Sequence, residues 1–502
     1  MNDSNTVLPS AETSTPPPTP PVNDSAESAS PPFPVSPPLP DTPTEEDSVP
    51  PPEETPPSFP EPGEPAQVID PIFKRFLPLL IGLGIVIFAA LLVFKVIIPQ
   101  FSKNKEPEII SLKYWGLWEP ESSISQIISD YQAAHPNVNI QYVRQSHKDY
   151  RERLQSALAK GDGPDIFRYH NTWLPMLKAD LSPMPEAIYS GNEFDATFYP
   201  VVKKDVFSAG RYYGIPLEFD ALSLYVNEDI LATSPDLKVP TTWNNLRQTA
   251  FKLRQFDQTG KKLTRGGVAL GTTGNVDNFS DILGLMILQN GGDPAQPDSE
   301  EVVSAMKFYT LFATQDKSWD TALPASTYAF ATSKVAMFIA PSWRALEIKT
   351  INPQLNFKMY PVPQLPGTNV AWATYWIEGV SKNSTQSKEA WEFLKYLSTK
   401  EVLTKMYSIA SQIRLFGEPY SRQDMASSLQ SDPYLGAVLS QAISSQSWPL
   451  ASKTFDNGLN DKLIKYYEDA INSYLKDDQE KTTLQNLSQG VTQVLSQYGL
   501  AK

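Results

Sequence analysis

Residues 76–94, FLPLLIGLGIVIFAALLVF, run for nineteen positions without a charge between Lys74-Arg75 and Lys95. At ~1.5 Å per residue, a helix of this length covers about the hydrocarbon thickness of a bilayer. A helix buried in a soluble domain has no need to be apolar on every face for so long. The run is followed by Lys95, Pro99 and Gln100 rather than by a small-residue cleavage site, and it lies far from the N-terminus, so it does not read as a secretory signal. It predicts one transmembrane helix over residues 74–98, contacting the lipid bilayer through 76–98, and it divides the chain in two.

The two parts differ in composition. Residues 1–70 hold 21 of the 46 prolines, 13 Asp or Glu and no Lys or Arg. Such a segment has too little apolar surface to offset the entropy of ordering, which predicts a disordered Pro-rich acidic tail. It reads as a solvated spacer or as a partner-binding segment working through runs such as Pro16-Pro17-Pro18. The tail carries most of the formal net charge of −14, and from Pro71 onward 42 basic residues face 43 acidic ones. The basic residues are scattered, so no nucleic-acid partner is expected. No cysteine is present, which excludes disulfides, thiolate metal sites, a cysteine nucleophile and a lipid-bearing cysteine. His135, His147 and His170 are too dispersed to suggest a metal site, and no cofactor is expected. Lys74 and Arg75 precede the apolar run while Lys95, Lys103, Lys105 and Lys113 follow it, so flanking charge does not fix the orientation.

After a linker at 99–107 the pattern becomes α/β. Ile110 to Trp115 reads as a strand, and Ile124, Ile127, Ile128, Tyr131 and Ala134 then fall on one helical face. Val138 to Val143 reads as a second strand. A helix carrying Tyr150, Leu154, Ala157 and Leu158 follows, with Ser146 as its expected N-cap and Gly161 past its end. Asp165 to Tyr169 is a third strand, and the rhythm predicts a sheet with helices on its faces. It resumes with a strand at 222–226, a helix capped by Thr242, an apolar helix from Phe279 to Leu288, a buried strand at 335–340 and mostly helix beyond 388. Some four hundred residues of such pattern imply two lobes.

Catalytic signatures are absent: there is no GxxxxGK[ST], GxSxG or HExxH. Glu218 and Asp220 alternate along one strand and so share a face, unlike the opposed carboxyls of a glycoside hydrolase. The distinctive feature is aromatic residues where strands end, namely Trp118, Tyr169, Trp173, Trp343, Tyr375 and Trp376. In open α/β sheets ligands sit outside the carboxyl ends of strands. Sugars offer C–H faces that stack on rings and hydroxyls that pair with carboxylates, amides and guanidinium groups.

The blocks Gly161-Asp-Gly-Pro-Asp-Ile-Phe-Arg-Tyr-His170, Tyr213 to Tyr225, Pro240-Thr-Thr-Trp243, Lys334 to Trp343 and Ala390-Trp-Glu-Phe-Leu394 together resemble the maltose-binding-protein-like family, the extracellular solute-binding proteins of bacterial ABC sugar importers. The resemblance covers residues 108–502. It implies a two-lobed periplasmic-binding-protein-like (class II) fold preceded by the tail and one transmembrane helix. Lobe 1 would comprise roughly 108–217 and 367–430, and lobe 2 roughly 223–360 and 431–502, with hinges near 217–223 and 360–366. The implied function is carbohydrate capture by hinge closure and delivery to ABC permease subunits, without catalysis. The C-terminal domain would be extracytoplasmic and the tail cytoplasmic. A membrane-anchored glycan hydrolase and a ligand sensor signalling through the tail are the alternatives.

Carried over by position, the resemblance implies ligand contacts from Trp118, Glu119, Tyr169, Asn171, Trp173, Asp220, Asn275, Asp277, Trp343, Arg344, Trp376 and Glu378. Thr172 and Trp173 depart from the pattern, standing where maltose binders have an acidic–basic pair.

Overall fold

The computed structural model describes residues 71–93, 95 and 109–501. The tail expected at 1–70, the linker at 99–107 and the last part of the expected span lie outside the described residues. The chain forms two compact units, residues 1–102 and 103–502.

In the first unit Pro71–Leu92 is helical. Its apolar side chains stand open: Leu79 is 69% exposed and Phe88 67%. Among the described residues no helix is long and apolar enough to cross a membrane, so the span expected at 74–98 is not confirmed there.

The second unit is built around two sheets. In the first, strands run in the order Trp376–Val380, Ile166–His170, Ile110–Gly116, Val138–Arg144, all parallel except the antiparallel Trp376–Val380 at one edge. Helix Glu121–Ala134 buries Ile124, Ile127, Ile128 and Tyr131, the stripe its spacing predicts. Helix Tyr150–Lys160 stops at Gly161, whose φ of +81° suits the left-handed C-terminal position. It begins one turn later than its expected cap, because Ser146 Oγ instead accepts from the Lys148 amide and Asp149 holds the N-terminal position.

The second sheet is mixed, in the order Phe357–Tyr360, Ser223–Asn227, Val335–Ala340, Leu263–Val268, Gln255–Phe256. Ser223–Asn227 and Val335–Ala340 are buried along their whole length, as the continuous apolar run in the latter requires. Thr242 caps helix Trp243–Leu253 by accepting from the Asn245 amide at 3.2 Å. Helices Leu459–Leu475 and Glu480–Gln497 pair with each other, and the first packs on Phe279–Gln289 and Glu300–Thr314.

Between the sheets the chain passes back and forth. Segments 215–222 and 371–378 lie side by side, antiparallel: Leu222 N donates to Trp372 O (2.9 Å), Thr374 N to Asp220 O (3.0 Å) and Ile215 N to Glu378 O (3.0 Å). Segment 445–446 pairs with Ala371–Trp372, adding a third crossing.

Candidate functional site

Side chains alternate along extended backbone, so the crossing segments have two faces. Register sorts them: Arg168 pairs with Glu378, His170 with Trp376 and Tyr169 with Ile377. One face therefore carries Arg168, His170, Trp376 and Glu378. The other carries Tyr169 and Tyr375. Asp220 and Phe219 divide in the same way, Asp220 reaching Ser342 and Phe219 stacking 5.4 Å from Tyr375.

Two exposed rings stand near strand ends, one in each sheet. Trp118, at the end of strand Ile110–Gly116, is 39% exposed, and its ring centroid is 5.7 Å from that of half-buried Trp376. Exposed His147 also neighbours Trp118, with ring centroids 5.7 Å apart, and Phe455 is 5.3 Å from His147. From the second lobe, Trp343 is 40% exposed at the end of strand Val335–Ala340, and the Arg344 guanidinium covers it at 4.1 Å.

Polar groups brace these rings. Asp220, 8% exposed, accepts from Ala221 N (2.7 Å), Ser342 N (3.0 Å) and Ser342 Oγ (2.9 Å), tying a crossing segment to the loop that carries Trp343. Three of the carboxylate's four lone-pair sites are thus used. Burial pushes its pKa up to about 7, against the Ser342 bonds. Asp277 accepts from Thr327 N (3.0 Å), Thr327 Oγ1 (2.8 Å) and Ser326 Oγ (3.1 Å), with Arg344 at 4.0 Å and Lys453 at 3.8 Å. Burial works to raise its pKa, but the Thr327 bonds and the two cations hold it below the usual carboxylate range.

Behind Trp118 lies a largely buried charged cluster. Arg168, 2% exposed, donates Nε to Glu378 (2.7 Å) and Nη1 to Glu119 (2.7 Å). Glu119, Glu218 and Glu418 can bring carboxylate oxygens within 4.8 Å of one another, and Arg414 Nη2 binds Glu418 at 2.5 Å. Burial, then the neighbouring Glu418, raises Glu218 well above its ordinary pKa. Glu418 is lowered: burial opposes this, and Arg414 and the hydrogen bond with Glu218 overcome it. One proton shared between the two carboxyls is the arrangement these directions describe.

The twelve expected contacts therefore separate. Trp118 and Trp343 expose their rings, half-buried Trp376 lies beside Trp118, and Asp220, Asp277 and Arg344 lie by the loop that carries Trp343. Glu119 and Glu378 are committed to Arg168. Tyr169 corrects an expectation: it lies on the reverse face, fully buried, with its hydroxyl donating to Tyr213 O (3.3 Å). Trp173 is also fully buried, supporting Trp376 edge-on at 5.3 Å. Asn171 points to the reverse face, donating to Asp205 (2.8 Å). Asn275 is consumed in its own loop, accepting from Thr272 and Trp319 while donating to Asp320 O and Leu323 O.

His147, Lys453 and Phe455 were not anticipated, since none belongs to a periodic element. A cavity of about 710 Å³ also opens beside Asn171, Asp205 and Trp448. Tyr375, which donates to Asp205 (2.7 Å), puts it on the face turned away from Trp376.

Two sheets joined by paired crossing segments, with an exposed ring near a strand end of each, define a two-lobed binding protein. The chain belongs to the bacterial extracellular solute-binding protein family, which matches residues 116–403, more than half its length. It is 23% identical over 373 residues to a multiple sugar-binding protein of Streptococcus mutans, covering 69% of this chain and 84% of that one. A maltotriose-binding protein of Pyrococcus abyssi is 20% identical over 310 residues, covering 59% and 64%. The fold is that of the sugar-binding protein MalE from Xanthomonas citri, with a TM-score of 0.64 and 19% identity over 77% of this chain and 98% of that one. A cyclo/maltodextrin-binding protein complexed with maltotetraose aligns with a TM-score of 0.63 and 16% identity, covering 78% and 99%.

Proposed function

We propose that this protein captures a carbohydrate outside the cell and presents it to an ABC-type importer, the lobes closing about segments 215–222 and 371–378. The observation that carries this reading is the placement of exposed rings on both lobes, Trp118 on one and Trp343 on the other, with half-buried Trp376 beside Trp118. Closure lets a sugar touch both walls, and a ligand that binds the closed form better shifts the protein towards it. Catalysis is not part of the proposal, because the carboxylates of the cleft face are already committed: Glu119 and Glu378 to Arg168, Asp220 to Ser342. None of these three is free to flank a glycosidic bond as acid or base.

The exposed apolar helix Pro71–Leu92 and the uncharged run through Phe94 support anchoring in the cell membrane, and capture of a sugar from outside puts residues 106–502 on the outer side and the tail inside. Calorimetric titration with mono- and oligosaccharides tests the proposal. A saccharide should bind, and Trp343→Ala should cost about tenfold in affinity through the lost stacking without changing the thermal midpoint of the free protein. Unchanged affinity in that variant would refute the assignment of the cleft.

A further inference from the structure

Two of the crossing segments meet at one carboxylate, on the face turned away from Trp376. Asp205, on first-lobe helix Pro200–Val206, accepts at Oδ2 from Asn171 Nδ2 (2.8 Å) and Tyr375 Oη (2.7 Å). Both donors adjoin the first sheet: Asn171 follows strand Ile166–His170, Tyr375 precedes strand Trp376–Val380, and Asn171 N donates to Tyr375 O (3.0 Å). Oδ1 accepts from Ser447 Oγ instead. Ser447 is held to the second lobe on both sides. Gln446, before it, pairs with Trp372, whose Nε1 donates to Asp281 on helix Phe279–Gln289 (3.1 Å). Ser452, beyond it, donates its amide to the same Asp281 carboxylate (3.1 Å). The Asp205–Ser447 bond therefore runs from lobe to lobe, beside the segments about which the lobes turn.

Rotation of one lobe moves Ser447 relative to Asp205 and leaves Asn171 and Tyr375 in place. Hydrogen bonds weaken steeply away from their preferred geometry, so this one is made only over a narrow range of lobe angles. Its strength also depends on charge, since a hydroxyl holds a carboxylate about twice as strongly as it holds a neutral group. Burial pushes the Asp205 carboxyl up to about 6, against the pull of Ser447, then Tyr375 and Asn171. Breaking the Ser447 bond removes the largest of those pulls, so a proton favours the broken state. Asp205 and Ser447 both line the cavity of about 710 Å³, together with exposed Lys204 and Leu500, which gives a proton its route. The charged groups around that cavity are Lys204, donating to Ser447 O (3.3 Å), Lys178, donating to Ser208 Oγ (2.7 Å), and Asp293 beyond helix Phe279–Gln289. Burial holds the Tyr169 and Tyr375 phenols above their ordinary range, so they stay neutral.

We propose that Asp205 and Ser447 form an interlobe latch that protonation of Asp205 releases, so that lobe angle, and with it ligand affinity, depends on pH. The effect on affinity rests on the carbohydrate reading above, and the effect on lobe angle does not.

The test reads lobe angle directly. The chain has no cysteine, so Asn139→Cys on strand Val138–Arg144 and Lys252→Cys on helix Trp243–Leu253 provide one spin label per lobe. Pulsed electron spin resonance on the ligand-free full chain should show the distance distribution shifting between about pH 7.5 and about pH 5. Ser447→Ala and Asp205→Asn should each give the acid distribution already at about pH 7.5 and lose most of the shift. With a sugar that binds, each variant should change Kd by at least about threefold, in the direction in which acid changes it for the wild type. A wild-type distance that ignores pH, or variants that titrate as the wild type does, would overturn the latch. So would a Kd moved by Ser447→Ala in the direction opposite to acid. Absence of binding by every sugar would overturn the carbohydrate reading instead, while the distances still decide the latch.

Discussion

Replacing Asp220 by asparagine isolates one proton. In the folded chain the carboxyl is buried at 8% exposure and its pKa rises from 3.8 to about 7. Between those values the folded protein keeps a proton that the unfolded chain releases. The stabilisation is therefore fully present below about pH 4 and is lost as pH rises to about 7. Each unit of this window costs about 1.4 kcal/mol, so the upper bound across it is on the order of 4 kcal/mol. The substituted side chain would keep an acceptor for the Ala221 and Ser342 amides and offer an N–H to the Ser342 hydroxyl, which can rotate to accept.

Burial likewise raises Asp205 and Asp281 to about 6, so wild type and variant will both lose stability with rising pH. The quantity to measure is the difference between them. Urea midpoints of both full-length proteins at several pH values should show Asp220→Asn gaining on wild type by about 1 kcal/mol per unit between about pH 5 and 6. A difference that does not change with pH would refute the argument.

Other substitutions test the packing and the charge cluster. Arg168→Ala leaves the Glu378 carboxylate, 1% exposed, without its cation and should cost about 3–5 kcal/mol in chemical unfolding; a loss under about 1 kcal/mol would mean that Glu378 takes up a proton cheaply instead. Gly267→Ala places a Cβ 1.9 Å from the Ala250 carbonyl of helix Trp243–Leu253, where backbone cannot yield, and should cost about 2–3 kcal/mol or more. Wild-type stability in that variant would show that the helix shifts freely over strand Leu263–Val268.

The periodic parts of this chain are legible in its sequence. Ile124, Ile127, Ile128 and Tyr131 announce a helix because 3.6 residues per turn leave a mark in the order of residues. Thr242 and Gly161 mark helix ends through local backbone chemistry. The site was read less well, because ligand contact depends on which face of a strand a ring occupies. Tyr169 and His170 are neighbours, yet only His170 points to the side of Trp376, and this is fixed by pairing with a strand some two hundred residues away. Asn275 looked available because its partners, among them Trp319 and Leu323, come together only in the folded loop. Phe455 was missed for the opposite reason: a lone ring in Thr-Phe-Asp-Asn-Gly has no period to betray it.

The backbone at Lys453, Phe455 and Asn457 bears on how such a protein can be altered. Lys453 and Phe455 in the left-handed region each cost roughly 1–2 kcal/mol relative to a relaxed conformation, while Asn457 tolerates it better, and glycine would remove the cost at the first two. Selection for heat resistance alone should therefore enrich glycine at Lys453 and Phe455, yielding a sturdier molecule whose segment 452–457 keeps its path without the backbone strain.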